Sequence, residues 1–170
     1  GTRMHSKLPK VLQPLASQPL LEHVVASAES LQARSICVVY GHGGEIVQEH
    51  FAGRELVWAL QEPQLGTGHA VQQAMPHLIG EEIAVVMYGD VPLVRPETIK
   101  SLAKAASDGL AILTVVESDP TGYGRIIRNP EGAVVAIVEE KDATDEQRRI
   151  NEVNTGLLAC PVNQLGPWLE

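Results

Sequence analysis

Apolar runs of strand length alternate with stretches of helical spacing along the first two thirds of the chain. SICVVYG (35–41), ELVWALQE (55–62), EIAVVMYGD (82–90) and GLAILTVVE (109–117) are the continuous apolar runs. Between them, PLLEHVVASAESLQ (19–32) repeats Leu20, Leu21, Val24, Val25 and Ala28 at helical intervals. HAVQQAMPHL (69–78) and PETIKSLAKAA (96–106) read the same way, the second with proline at its first turn. Strand and helix in alternation predict βαβ units, and unbroken apolar strands predict helices on both faces of the sheet. After Pro120 the pattern changes. GRIIRN (124–129) and AVVAIVEE (133–140) flank a Pro-Glu-Gly turn and predict a β-hairpin. A charged connection, KDATDEQRRINE (141–152), leads to a further strand, VNTGLLAC (153–160), and LGPWLE reads as helix. The expected class is α/β, one domain built on a mixed, mostly parallel sheet with a hairpin insertion.

A helix starting near Pro19 would normally follow a strand, and the opening GTRM has none before it. A parallel sheet without an interior strand leaves backbone groups unpaired, at about 1–3 kcal/mol each. The expectation is a partial domain whose first strand lies outside the 170 residues and whose end falls within a helix.

Composition narrows the function. Aromatic residues are only 4%, so the core must come from Val, Leu, Ile and Ala. The net charge of −8 argues against a nucleic-acid binder, which needs a basic face for phosphates. It leaves room for a single small anionic ligand. Cys37 and Cys160 form no CxxC and are expected as buried, reduced thiols. No apolar run reaches the ~18 residues of a membrane span, so no membrane insertion is expected, and the cytoplasm is the expected location.

Open α/β sheets bind ligands beyond the carboxyl ends of their strands. Tyr88, Gly89 and Asp90 close the apolar strand EIAVVM. A single carboxylate there suits Mg²⁺, which keeps water and phosphate oxygens as its other ligands; the alternative is a cap on the following turn. Gly66, Thr67 and Gly68 precede a helix, whose free N–H groups receive an anion or the edge of a base unless the stretch only caps the helix. Near the start, Arg3 offers a planar fork for phosphate and Lys10 a point charge, with Pro9 fixing the backbone between them. A solvated basic loop is the plainer reading, and it is the preferred one for Lys7. His69 and His77 read as helix-surface residues, and His42 as a turn residue.

GTRM…LPKVL, QEPQLGTGHA, MYGDVPL, DPTGYGRI, VEEKDAT and EVNTG follow one another in this order. Together they resemble the uridylyltransferase domain of the bacterial bifunctional N-acetylglucosamine-1-phosphate uridylyltransferase / glucosamine-1-phosphate acetyltransferase family. The resemblance implies a Rossmann-like nucleotidyltransferase fold and a Mg²⁺-dependent reaction. In it, UTP and N-acetylglucosamine 1-phosphate give UDP-N-acetylglucosamine and pyrophosphate. By resemblance Arg3 and Lys10 hold phosphates, and Gln61, Gly66 and Thr67 recognise uracil. Tyr88, Gly89 and Asp90 match the segment at the sugar phosphate, with Asp90 a Mg²⁺ ligand, and Gly124, Glu139 and Asn154 match the N-acetylglucosamine site. The side chains suit these roles, since Gln61 and Asn154 both donate and accept, and Glu139 accepts from hydroxyls. Without the resemblance, Glu139 and Asn154 read as surface or turn residues. The family's glycine-rich opening strand, a later metal-site asparagine and its C-terminal left-handed β-helix, which carries acetyl transfer and trimerisation, are not in this sequence. The parent is expected to be a homotrimer. The same chemistry on another sugar phosphate, or a non-catalytic nucleotide-binding module, remains the alternative.

Overall fold

A computed structural model describes residues 8–169. A short 3-10 helix, Lys10–Leu12, leads into two two-residue strands, β1 (Pro14–Leu15) and β2 (Gln18–Pro19), which pair antiparallel. Helix α1 (Leu20–Ser30) follows and buries Leu21, Val24 and Val25, the stripe that its spacing predicts. Strand β3 (Cys37–Tyr40), helix α2 (Glu45–His50) and strand β4 (Val57–Leu60) form a βαβ unit, with β3 and β4 parallel and in register from Cys37↔Val57 to Tyr40↔Leu60. This is the parallel pairing that the alternation predicts.

Helix α3 (Thr67–Ala74) tightens into a 3-10 turn, Met75–His77, where Pro76 removes a backbone donor. Strand β5 (Ile83–Val86) and helix α4 (Pro96–Ala105) come next. In α4 Pro96 occupies the first turn, with Glu97 near the positive end and Lys104 near the negative end, and Ile99 and Leu102 are buried. Strand β6 (Ala111–Val116) precedes the hairpin of β7 (Arg125–Arg128) and β8 (Val134–Val138). Its turn closes by a 2.9 Å bond from the Gly132 N–H to the Asn129 carbonyl. Helix α5 (Asp145–Arg148), strand β9 (Glu152–Pro161) and helix α6 (Val162–Leu169) complete the fold.

The balance of strand pairing differs from the expectation. Among the described residues only the β3–β4 pairing is parallel, so the strands are not mostly parallel. Strands β5, β6 and β7 all pair antiparallel with the long β9, and β8 pairs antiparallel with β7. Long β9 holds this five-stranded sheet together, with Val153, Leu157, Ala159 and Cys160 buried along it. The β3–β4 pair shares no ladder with that sheet. Side chains join them: Met87, just past β5, packs against the α1–β3–β4 core and against the core under α4 and β9. A third cluster, Ala84, Cys160 and Leu165, lies under α3 and α6. Cys37 is half-buried and Cys160 buried, both free, and burial pushes both thiols up. No helix of the described residues is long and apolar enough to cross a membrane.

Candidate functional site

The carboxyl ends of β4 and β5 carry the candidate residues. Past β5 the chain turns at Tyr88–Val91, closed by a 3.1 Å bond from the Val91 N–H to the Tyr88 carbonyl. Asp90 caps no helix, since the N-cap of α4 is Arg95. Its Oδ2 instead accepts from Lys10 Nζ at 2.5 Å, with the two side chains 31% and 57% exposed. The cation near the start and the carboxylate after β5, eighty positions apart, therefore meet. Among the described residues nothing engages Asp90 Oδ1. Arg3 and Lys7 lie outside the described residues.

Gly89 turns the side where a Cβ would stand toward Leu21 Cδ1 and Val11 Cγ1, at 3.1 and 3.3 Å. Glycine at this position lets the turn pack closely on α1 and the 3-10 helix.

Tyr88 ties the turn to β9. Two steps beyond the Val86↔Leu158 pair, the register brings Tyr88 opposite Gly156. A Cβ on Gly156 would lie 2.3 Å from Tyr88 Cε2, so the ring occupies the space a side chain would fill. Gly156 donates its N–H to Asn154 Oδ1 at 2.9 Å, and Asn154 donates its own N–H to the Gly124 carbonyl at 2.8 Å. Across the hairpin, a Cβ on Gly124 would stand 3.0 Å from Ile137 Cγ2 and 3.3 Å from Glu139 Oε1. The missing side chain lets Ile137 and Glu139 pack closely on the Gly124 backbone. Asp90, Tyr88, Asn154, Gly124 and Glu139 thus form one connected surface. Arg125, 1% exposed, holds the hairpin from beneath by donating to Glu140 Oε2 at 2.6 Å and to the Tyr123 carbonyl. That guanidinium keeps the Glu140 carboxyl below its usual range.

At the end of β4 the chain forms the second group. Gln61 is 9% exposed and donates through Nε2 to the Gly66 carbonyl at 2.8 Å. Gly66, at φ +104°, is the N-cap of α3 and needs glycine for that backbone. It has no side chain to cap with, and Thr67 is the first helical residue, so the N–H groups at this helix start are open to a ligand. His69 is not the plain helix-surface residue expected from sequence: its ring lies between Gln61 and Gln73. Only a contact between a strand end and a helix reveals this, and spacing carries no such signal.

The surface holds charged, donor and acceptor groups around a turn at a strand end, with Lys10 and Asp90 at its centre. It suits a phosphate ester flanked by two polar groups. A family model described as the MobA-like NTP transferase domain matches residues 1–150. The chain belongs to this family. It carries an NTP transferase domain with a Rossmann-like mixed α/β fold. It is 61% identical to the "Bifunctional protein GlmU" of Azoarcus sp. (strain BH72), over 99% of this chain and 38% of that protein. The protein of the same description from Aromatoleum aromaticum is 58% identical over 99% of this chain and 37% of its own length. The chain therefore spans a little over a third of these relatives. Among solved structures, an apo UDP-glucose pyrophosphorylase shares the fold with a TM-score of 0.71 at 16% identity, covering 97% of this chain and 74% of that one.

Proposed function

We propose that this site transfers a uridylyl group from UTP to N-acetylglucosamine 1-phosphate, giving UDP-N-acetylglucosamine and pyrophosphate. The meeting of Lys10 with Asp90, beside the Tyr88–Asn154–Gly124–Glu139 surface, is the observation that carries the reading. Family membership supports nucleotidyl transfer, and the order of motifs supports the uracil and N-acetylglucosamine assignments.

The donor set fits Mg²⁺. Asp90 keeps one oxygen unengaged among the described residues, and an ion that retains water and phosphate oxygens needs few protein ligands. Bound there, Mg²⁺ would supply charge neutralisation to the phosphate oxygens. A sugar-phosphate oxygen attacks the α-phosphorus in line, and the bond to the pyrophosphate oxygen breaks. The nucleophile is already anionic, so no general base is required. The chain's own work is placement and charge. Lys10, with Arg3, offsets charge on the departing pyrophosphate. Gln61 with the Gly66–Thr67 N–H groups holds the base, and Tyr88 and Gly89 line the sugar phosphate. Gly124, Glu139 and Asn154 take the sugar.

In the full-length protein, Asp90→Asn should lower Mg²⁺-dependent pyrophosphate release by about 10²–10³. Unchanged turnover would sink the assignment. A panel of nucleotides and sugar phosphates should favour UTP with N-acetylglucosamine 1-phosphate, and UTP binding without pyrophosphate release would favour a binding module instead.

A further inference from the structure

The Gln61–His69 contact fixes a feature that the motif leaves open, namely which way the Gln61 amide faces. The Gly66 carbonyl only accepts, so the Gln61 atom 2.8 Å from it is the nitrogen. The same Nε2 stands 3.1 Å from His69 Nδ1. An amide nitrogen has hydrogens to give and no lone pair to offer, so Nδ1 must be bare and accept. The neutral ring then carries its proton on Nε2, 3.2 Å from Gln73 Nε2, so the Gln73 amide has to turn over. Gln73 meets that proton by presenting Oε1, giving up only a 3.4 Å contact to the His69 carbonyl. Both hydrogens of Gln61 Nε2 are now committed. Its Oε1 is left, engaged by no described residue, as a fixed acceptor at the carboxyl end of β4.

We infer that His69 is a positioning residue that sets base selection by locking this acceptor; the inference rests on the uridylyl-transfer reading of the site. Uracil carries a proton on N3, whereas cytosine carries a lone pair there. An acceptor held in one orientation pairs with the first and repels the second in the same pose. A Gln61 free to turn over would offer its N–H to cytosine and lose the distinction. Turning would set Oε1 against the Gly66 carbonyl, and His69 meets the turned oxygen only by moving its own proton to Nδ1, away from Gln73. Removing His69 removes the second of these restraints.

The test compares UTP with CTP in the full-length protein, by kcat/KM with N-acetylglucosamine 1-phosphate and by calorimetric binding. His69→Leu should lower the UTP:CTP ratio about two- to tenfold, the range for one neutral hydrogen bond. His69→Asn, whose Oδ1 replaces Nδ1 as acceptor, should keep the ratio. A ratio unchanged in His69→Leu, an equal loss for both nucleotides, or the same fall in His69→Asn overturns the inference. So does a wild type that binds UTP no more tightly than CTP. A wild type that selects UTP in binding but releases no pyrophosphate overturns the transfer reading alone, and the binding ratios still decide the role of His69.

Discussion

At the scale of single residues, the site depends on absent side chains as much as on present ones. Gly156 has φ +83°, and a Cβ there would lie 2.3 Å from the Tyr88 ring. Gly156→Ala meets two separate costs, the left-handed backbone at roughly 1–2 kcal/mol and displacement of Tyr88. Urea unfolding should show a loss of about 1–3 kcal/mol, together with a raised KM for the sugar phosphate. Tyr88→Ala in the same chain should relieve the steric part but leave the backbone part, so the double mutant should lose less than the sum of the singles. The sequence marks Gly66 and Gly124 by their motifs, but nothing within NTG tells that a tyrosine some seventy positions earlier lies over the glycine. His69 reads as helix surface for the same reason, since its partner Gln61 lies beyond another element. Lys10 and Asp90 could be named as candidates, yet only the fold brings them together.

At the scale of elements, what the sequence shows well is the local pattern. Helices α1 and α4 and strands β3 to β5 lie where apolar spacing puts them. Helices α2 and α5, of six and four residues, are too short to show a period. For α5 a signal was present: Thr144 and Gln147 form a reciprocal capping box. Strand direction was least legible, because an apolar run buried on both faces reads alike whichever way its neighbour runs. Strand β9 decides it, and one ion pair fixes its start. Arg128 donates to both oxygens of Glu152, at 2.7 and 2.8 Å, and Thr114 Oγ1 adds a bond at 2.8 Å. These contacts, the Arg128 bonds first, lower the Glu152 carboxyl to about 2. A carboxyl depressed on folding stabilises the fold above its unfolded pKa of ~4.3, and that contribution fades as pH falls toward 2. With Arg128 42% and Glu152 23% exposed, solvent screening leaves the pair about 1 kcal/mol. Glu152→Gln should therefore lose about that much stability at pH 7, while the difference from wild type narrows as unfolding is measured at successively lower pH. A gap of constant size down to pH 2 would contradict the assignment.

At the scale of the whole molecule, two sheets that share no ladder behave as one only if their side chains bind them. The parallel β3–β4 pair and the five-stranded sheet are bridged at Met87, which touches both cores, by the approach of α1 to α4, and by α3, which packs on β3 and β4 and on α6. The two halves of the proposed site divide along the same line, with Gln61 and Gly66 beyond β4, and Asp90 and Asn154 beyond β5 and within β9. Site geometry and core cohesion are thus one problem. Met87 is only half-buried, so truncation should cost less than a fully buried methionine, about 1–2 kcal/mol for Met87→Ala. If side-chain packing is enough to couple the sheets, denaturant unfolding followed by far-UV circular dichroism and by Trp58 fluorescence should coincide in a Trp168→Phe background, which silences the second tryptophan in α6. Trp58 packs in the α1–β3–β4 core and so reports on that half, while circular dichroism reports on both. In Met87→Ala the two curves should shift together if the α1–α4 and α3 contacts maintain the coupling. They should separate, with the Trp58 transition first, if Met87 is the main bridge. The α1–β3–β4 core is the larger of the two clusters that Met87 touches, and α3 packs on both halves, which favours the first outcome. Coincident curves shifted by less than 0.5 kcal/mol, a change typical of a surface substitution, would show that Met87 does not couple the sheets.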